Sequence, residues 1–132
     1  MANTVTTTKI IETTKYSIIH VYITGDGSGE ETGTVIYDYS ADVYAPTAKT
    51  QLSLVRFWGS VDSTISIDLV WDGATDFNVW CVPQYTPARD VDFSFFGGIK
   101  NLATTPTGDL VFNTIGLGAS DHASIVVVIR KV

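Results

Sequence analysis

Ile65, Ile67, Leu69 and Trp71 alternate with Ser66, Asp68 and Val70 in the middle of this chain. A period of two is what a half-buried β-strand requires, because successive side chains point to opposite faces. The first set therefore predicts a core-facing row. Asp72-Gly73 reads as a turn, and Phe77 to Val82 as the returning strand of a hairpin-like pair. The same alternation marks other segments. Tyr16 to Ile23 carries apolar weight on both sides, with Tyr16, Ile18, His20 and Tyr22 on one and Ser17, Ile19, Val21 and Ile23 on the other. Leu52, Leu54, Arg56 and Trp58 face away from Ser53, Val55 and Phe57, and Ile125, Val127 and Ile129 away from Val126 and Val128. Thr32 to Tyr39, Val91 to Phe95 and Asp109 to Ile115 complete the expected strands.

No segment holds a helical period over ten or more residues, and Val, Ile and Thr, stiff in helices, fill the apolar runs. Strands separated by Gly-, Asp- and Pro-marked turns predict an all-β, mostly antiparallel sandwich, jelly-roll-like, of about seven to nine strands. A barrel is the alternative. Gly25-Asp26-Gly27-Ser28-Gly29 and residues 42–50, with Pro46, read as loops. Phe95-Phe96-Gly97-Gly98-Ile99 reads as a glycine-kinked loop that tucks aromatics under a sheet edge. Residues 1–8, with four threonines and little to bury, read as a flexible arm or as an edge extension that orders only against a partner, leaving residues 9–132 as one domain.

The length of 132 residues is enough for one core without metals or disulfides. Cys81, the sole cysteine, lies beside Trp80 and Val82 in an apolar run, where a buried and inert thiol is expected. Fourteen acidic against eight basic side chains give a net charge of −6, with the acids dispersed. That balance disfavours sequence-independent binding to nucleic acid, which needs a basic surface. The longest apolar run, Ile125 to Ile129, is far shorter than the roughly twenty residues of a membrane span, and Met1 to Thr8 lacks a signal-peptide pattern.

Candidate chemistry is sparse. Gly25-x-Gly27-x-Gly29 lacks the Lys-Ser or Lys-Thr pair of a phosphate loop, and Thr32 onward looks extended instead of helical. Asp26, Ser28, Glu30 and Glu31 could offer oxygen to calcium, but Glu31 stands where an EF-hand needs glycine. An exposed acidic loop is the simpler reading. Ser120, Asp121 and His122 are contiguous, so on a strand their side chains diverge and cannot form a triad. We expect no enzyme activity, no cofactor and no metal. The aromatics carry more: Trp58, Trp80, Tyr85, Phe95 and Phe96 are the candidate contact residues, Trp80 as an exposed or intersubunit side chain. A flat aromatic platform would also suit a carbohydrate-binding sandwich.

Asp68-Leu69-Val70-Trp71-Asp72-Gly73, Asp92-Phe93-Ser94-Phe95-Phe96-Gly97-Gly98-Ile99, Thr107-Gly108-Asp109-Leu110-Val111-Phe112 and the strand from Ala123 to Lys131 give the chain a further character. Through these segments, within the span from Ser60 to Val132 that makes up somewhat more than half of its length, it resembles small β-rich structural proteins of tailed phages, capsid decoration or cement proteins and other virion-associated subunits. The resemblance implies a non-enzymatic virion protein, made in the host cytoplasm and placed on the capsid surface. Its implied partners are further copies of itself, a trimer as the first guess, and the major capsid protein or other virion subunits. A tail, neck or fibre-associated subunit is the nearest alternative.

Overall fold

The structure, a computed structural model, describes residues 3–62, 64–83 and 89–131. Among the described residues, ten strands form two antiparallel sheets. The larger has the order β1 (Thr4–Glu12), β2 (Tyr16–Thr24), β10 (His122–Arg130), β4 (Ser53–Val61) and β7 (Arg89–Asp92), with β8 (Ile99–Lys100) also pairing with β4. The smaller runs β3 (Thr34–Tyr37), β9 (Thr104–Ile115), β5 (Ser66–Thr75) and β6 (Phe77–Val82). Short 3-10 turns at Tyr39–Ala41, Lys49–Gln51 and Ser94–Phe96 interrupt the connections. The arrangement is sandwich-like, and its ten strands exceed the seven to nine expected.

The period of two locates the core. Ile19, Val21 and Ile23 on β2 and Ile125, Val127 and Ile129 on β10 point inward from one sheet; Ile67, Leu69 and Trp71 on β5 do so from the other. All are at most 1% exposed. Each such aliphatic side chain contributes about 1.5–3 kcal/mol by leaving water. Both faces expected to be buried are therefore buried. Val70, on the opposite side of β5, is also covered.

Four local expectations are corrected. The sequence reading leaves residues 1–8 outside the domain, yet Thr4 onward is the first half of β1, paired in register with β2 from Thr4 opposite Thr24. Backbone pairing at a sheet edge needs no apolar face. Asp72-Gly73 is not the turn: β5 continues to Thr75, with Gly73 opposite Pro106. A Cβ on Gly73 would stand 2.5 Å from the Thr104 carbonyl oxygen, so the glycine permits close approach of β9. The chain reverses at Asp76 instead, whose Oδ1 accepts from the Gly73 amide at 3.1 Å. Cys81, expected to be buried, is exposed on β6. The β5–β6 register slips between Leu69 and Val70, leaving Val79 as an extra residue. A bulge of this kind moves side chains to the other face, and so Trp80 turns toward the core.

Candidate interaction surface

The outer face of the larger sheet carries an apolar strip among charged and polar side chains. Across it, Ile18, Val128, Arg56 and Asp92 form one register row, and His20, Val126, Trp58 and Asp90 the next. Tyr16, Ile18, Val55, Arg56, Trp58, Asp92, Ser94 and Val128 line an open groove of about 310 Å³ there. Beside it, Ile11 on β1 is 46% exposed, and Tyr16 and Tyr22 are exposed as well. Contiguous exposed apolar surface marks interaction sites more reliably than single exposed residues do.

Charge frames this surface. The Arg56 guanidinium forks onto Asp90, with Nε to Oδ1 at 2.9 Å and Nη2 to Oδ2 at 2.5 Å, and it also lies 5.4 Å from the Trp58 ring centre. These hydrogen bonds hold the Asp90 carboxyl below the usual aspartate range. Asp92 is lowered too, by hydrogen bonds from the Ser94 side chain and amide.

Ser94 links the groove to the turn that carries the two most exposed aromatic side chains among the described candidates. Phe95 is 87% and Phe96 55% exposed, their rings edge-to-face at 4.7 Å. Gly97 closes the turn in the left-handed conformation (φ 89°) that glycine adopts without strain. The ring that tucks under the sheet edge is Phe93, buried and packed edge-on against Trp80 at 5.0 Å. Trp80 also meets Phe57 at 6.2 Å, so it is a partly buried core neighbour and not an outward-facing aromatic. Trp58 is half-buried on the outer face. Tyr85 lies outside the described residues.

Trp58 and Ser94 line the groove, Phe95 and Phe96 follow Ser94 in the turn, and Phe96 packs 6.1 Å from Phe93, which joins the turn to Trp80. Sequence reasoning missed Ile11, Tyr16, Tyr22 and Val128 as contributors. The apolar weight on both faces of Tyr16 to Ile23 was the available signal.

The polar groups examined for chemistry are engaged structurally. His20 Nε2 lies 2.8 Å from Ser124 Oγ, but on an open strand face, and among the described residues no carboxylate bonds its other ring nitrogen. Asp121 accepts from the Gly118 amide and the Thr64 hydroxyl, remote in role from the stacked pair of His122 and Tyr22. Among the described residues no group of three His, Cys, Asp or Glu side chains is placed to hold a metal.

In the 25–33 loop, Glu30 accepts from the Leu117 amide at 3.0 Å, the Thr114 hydroxyl at 2.9 Å and the Gly116 amide at 2.9 Å. Glu31 accepts from Thr34 and Asn3. The Glu30 carboxylate ties the loop to the end of β9, and that of Glu31 ties it to Thr34 and Asn3. Burial alone would raise the Glu30 pKa, but the three hydrogen bonds outweigh it and lower it. A depressed carboxylate contributes stability above the ordinary glutamate range and loses it as pH falls through its folded pKa. Glu30→Gln should therefore flatten the decline in melting temperature between about pH 5 and pH 3. An unchanged acid limb would contradict the staple.

The chain matches no protein-family model, and none of the curated proteins is similar enough in sequence to count as a relative.

Proposed function

We propose that this chain is a non-enzymatic virion structural protein that decorates or stabilises a phage capsid by protein–protein contact. The observation that carries the reading is the apolar outer face of the larger sheet together with the adjoining Phe95–Phe96 turn. Such a broad surface suits subunit contact better than a substrate cleft. The strand order adds support. Setting β1 and β8 aside, β2 pairs with β10, β3 with β9, β4 with β7 and β5 with β6. First pairs with last at every level, as in one long hairpin folded over on itself. That nesting supports a jelly roll, an architecture found in viral capsid and lectin domains, although architecture alone does not assign function.

The partners in this reading are the major capsid protein and further copies of the chain, with a trimer as the first arrangement to test. A net charge of −6 keeps the protein off the genome. The place of action is the capsid surface, after synthesis in the host cytoplasm.

Co-sedimentation with purified capsid shells tests the proposal, with purified tails in parallel. Wild type should pellet with shells. Replacing Phe95 and Phe96 together by serine should weaken the affinity for shells at least tenfold, the loss of roughly 1.4 kcal/mol or more of contact energy. The melting temperature should stay within a few degrees, because both rings are exposed. Binding to tails alone would move the protein to the neck, tail or fibre. Light scattering that gives three times the 14.3 kDa chain mass supports the trimer.

The groove walled by Tyr16 and Trp58 favours a second reading, a carbohydrate-binding module. Saturable glycan binding lost in Trp58→Ala, with no capsid binding, would establish it instead.

A further inference from the structure

Among the described residues the most deeply buried ion pair joins Asp42 and Lys131. Asp42 follows the 3-10 turn after β3, and Lys131 follows the last residue of β10. The Lys131 amide donates to the Lys15 carbonyl at 2.8 Å, which turns its side chain inward beneath the β1–β2 hairpin. There Nζ stands 2.6 Å from Asp42 Oδ2 and donates to the Thr13 carbonyl at 2.7 Å. Both side chains are 0% exposed. The Tyr44 ring lies 5.9 Å from the ammonium nitrogen.

The carboxyl group is held from every side. Asp42 Oδ1 accepts from the Tyr44 amide at 2.9 Å, and Oδ2 accepts from the Tyr37 hydroxyl at 2.5 Å as well as from Lys131. Burial and the neighbouring carboxylate raise the Tyr37 pKa, so its phenol remains protonated and able to donate. Burial also opposes the charge on Asp42, but hydrogen bonds from Lys131 and Tyr37 outweigh it; the resting state is an ion pair. Withdrawal from water costs such a pair hydration that offsets much of its attraction.

The structure assigns a covalent role to this pair: we propose that Lys131 Nζ and Asp42 Cγ join in an intramolecular amide bond. A proton passes from the ammonium to Oδ2, giving an amine beside a carboxylic acid. The amine lone pair attacks Cγ, and the Tyr44 amide stabilises the charge that develops on Oδ1, as backbone donors do for acyl transfer. A second proton moves from nitrogen to Oδ2, relayed by the Tyr37 hydroxyl. The Cγ–Oδ2 bond breaks, and water departs. The ammonium and carboxylate thus become one amide and one water, with no outside reagent. Two features drive it: fixed proximity, equivalent to roughly 10⁵–10⁸ M of reactant in well-aligned cases, and exclusion of bulk water, which would reverse it.

The intact mass of the purified, denatured full chain tests the proposal directly. We expect it to fall below the sequence mass by one water, and digestion to give a branched peptide joining the Asp42 and Lys131 segments. Asp26-Gly27 and Asp72-Gly73 can each lose water as a succinimide. Water loss mapped to either of them, or an intact mass equal to that of the sequence, overturns the bond. Lys131→Arg keeps the charge and should restore the full mass. Asp42→Asn should lose one ammonia in place of water. Because the wild-type mass decides the matter, a variant that fails to fold leaves the test intact. The capsid reading stands or falls separately, by co-sedimentation.

Discussion

Ile67→Asp is expected to abolish cooperative unfolding near the wild-type melting temperature. Ile67 lies in β5, between Val82 on β6 and Thr114 on β9, and is 0% exposed. An aspartate there loses the apolar burial, about 1.5–3 kcal/mol. It also places a carboxylate among Leu69, Trp71 and the inner face of β10, with no donor designed to meet it. An unpaired buried charge takes the total beyond about 4 kcal/mol, which rivals the 5–15 kcal/mol by which such domains are stable. Ile67→Val, which removes one methyl group, should cost only about 0.5–1.5 kcal/mol. Circular dichroism melts of the two variants give the comparison. An aspartate variant that melts with wild type would show that this face is not the core.

Gly59→Ala should produce the second large loss, about 3 kcal/mol, from a single added methyl group. Gly59 sits within β4, opposite Ile125 on one side and Arg89 on the other. Its φ of 152° lies in a region that L side chains avoid, and a Cβ would stand 2.2 Å from the Ser124 carbonyl oxygen and 2.6 Å from Ile125 Cα. Both obstacles are backbone of β10, fixed by pairing on both edges. Gly29→Ala is the control: its φ is 129°, but nothing lies within 4 Å of the added carbon. It should cost only about 1–2 kcal/mol, the conformational part alone. Urea midpoints of equal depth for the two variants would rule out the close strand approach.

What the sequence revealed was set by what periodicity can encode. Ile65 to Trp71 and Ile125 to Ile129 identify their buried faces because side-chain alternation reports directly on which side meets the other sheet. Trp80 is misassigned because one extra residue, Val79, breaks the alternation within six residues. Thr4 to Thr8 look dispensable because main-chain pairing with β2 leaves no trace in side-chain pattern. The candidate surface is half legible: Gly97 and Gly98 flag the kink that exposes Phe95 and Phe96, but Ile11 and Val128 join Trp58 only across strands distant in sequence. Asp42 and Lys131 were the least accessible. Each reads alone as a solvated charge, and only the fold brings them together with both side chains buried.

The position of β10 has a consequence for synthesis. It is the last strand in chain order, yet it lies between β2 and β4 in the larger sheet. While a ribosome is still making residues 1–121, those two strands have no common neighbour, and their facing edges stay open to other nascent chains. Closure waits for β10. Chains that stop before it should therefore go to chaperones or proteases instead of accumulating as shortened native protein.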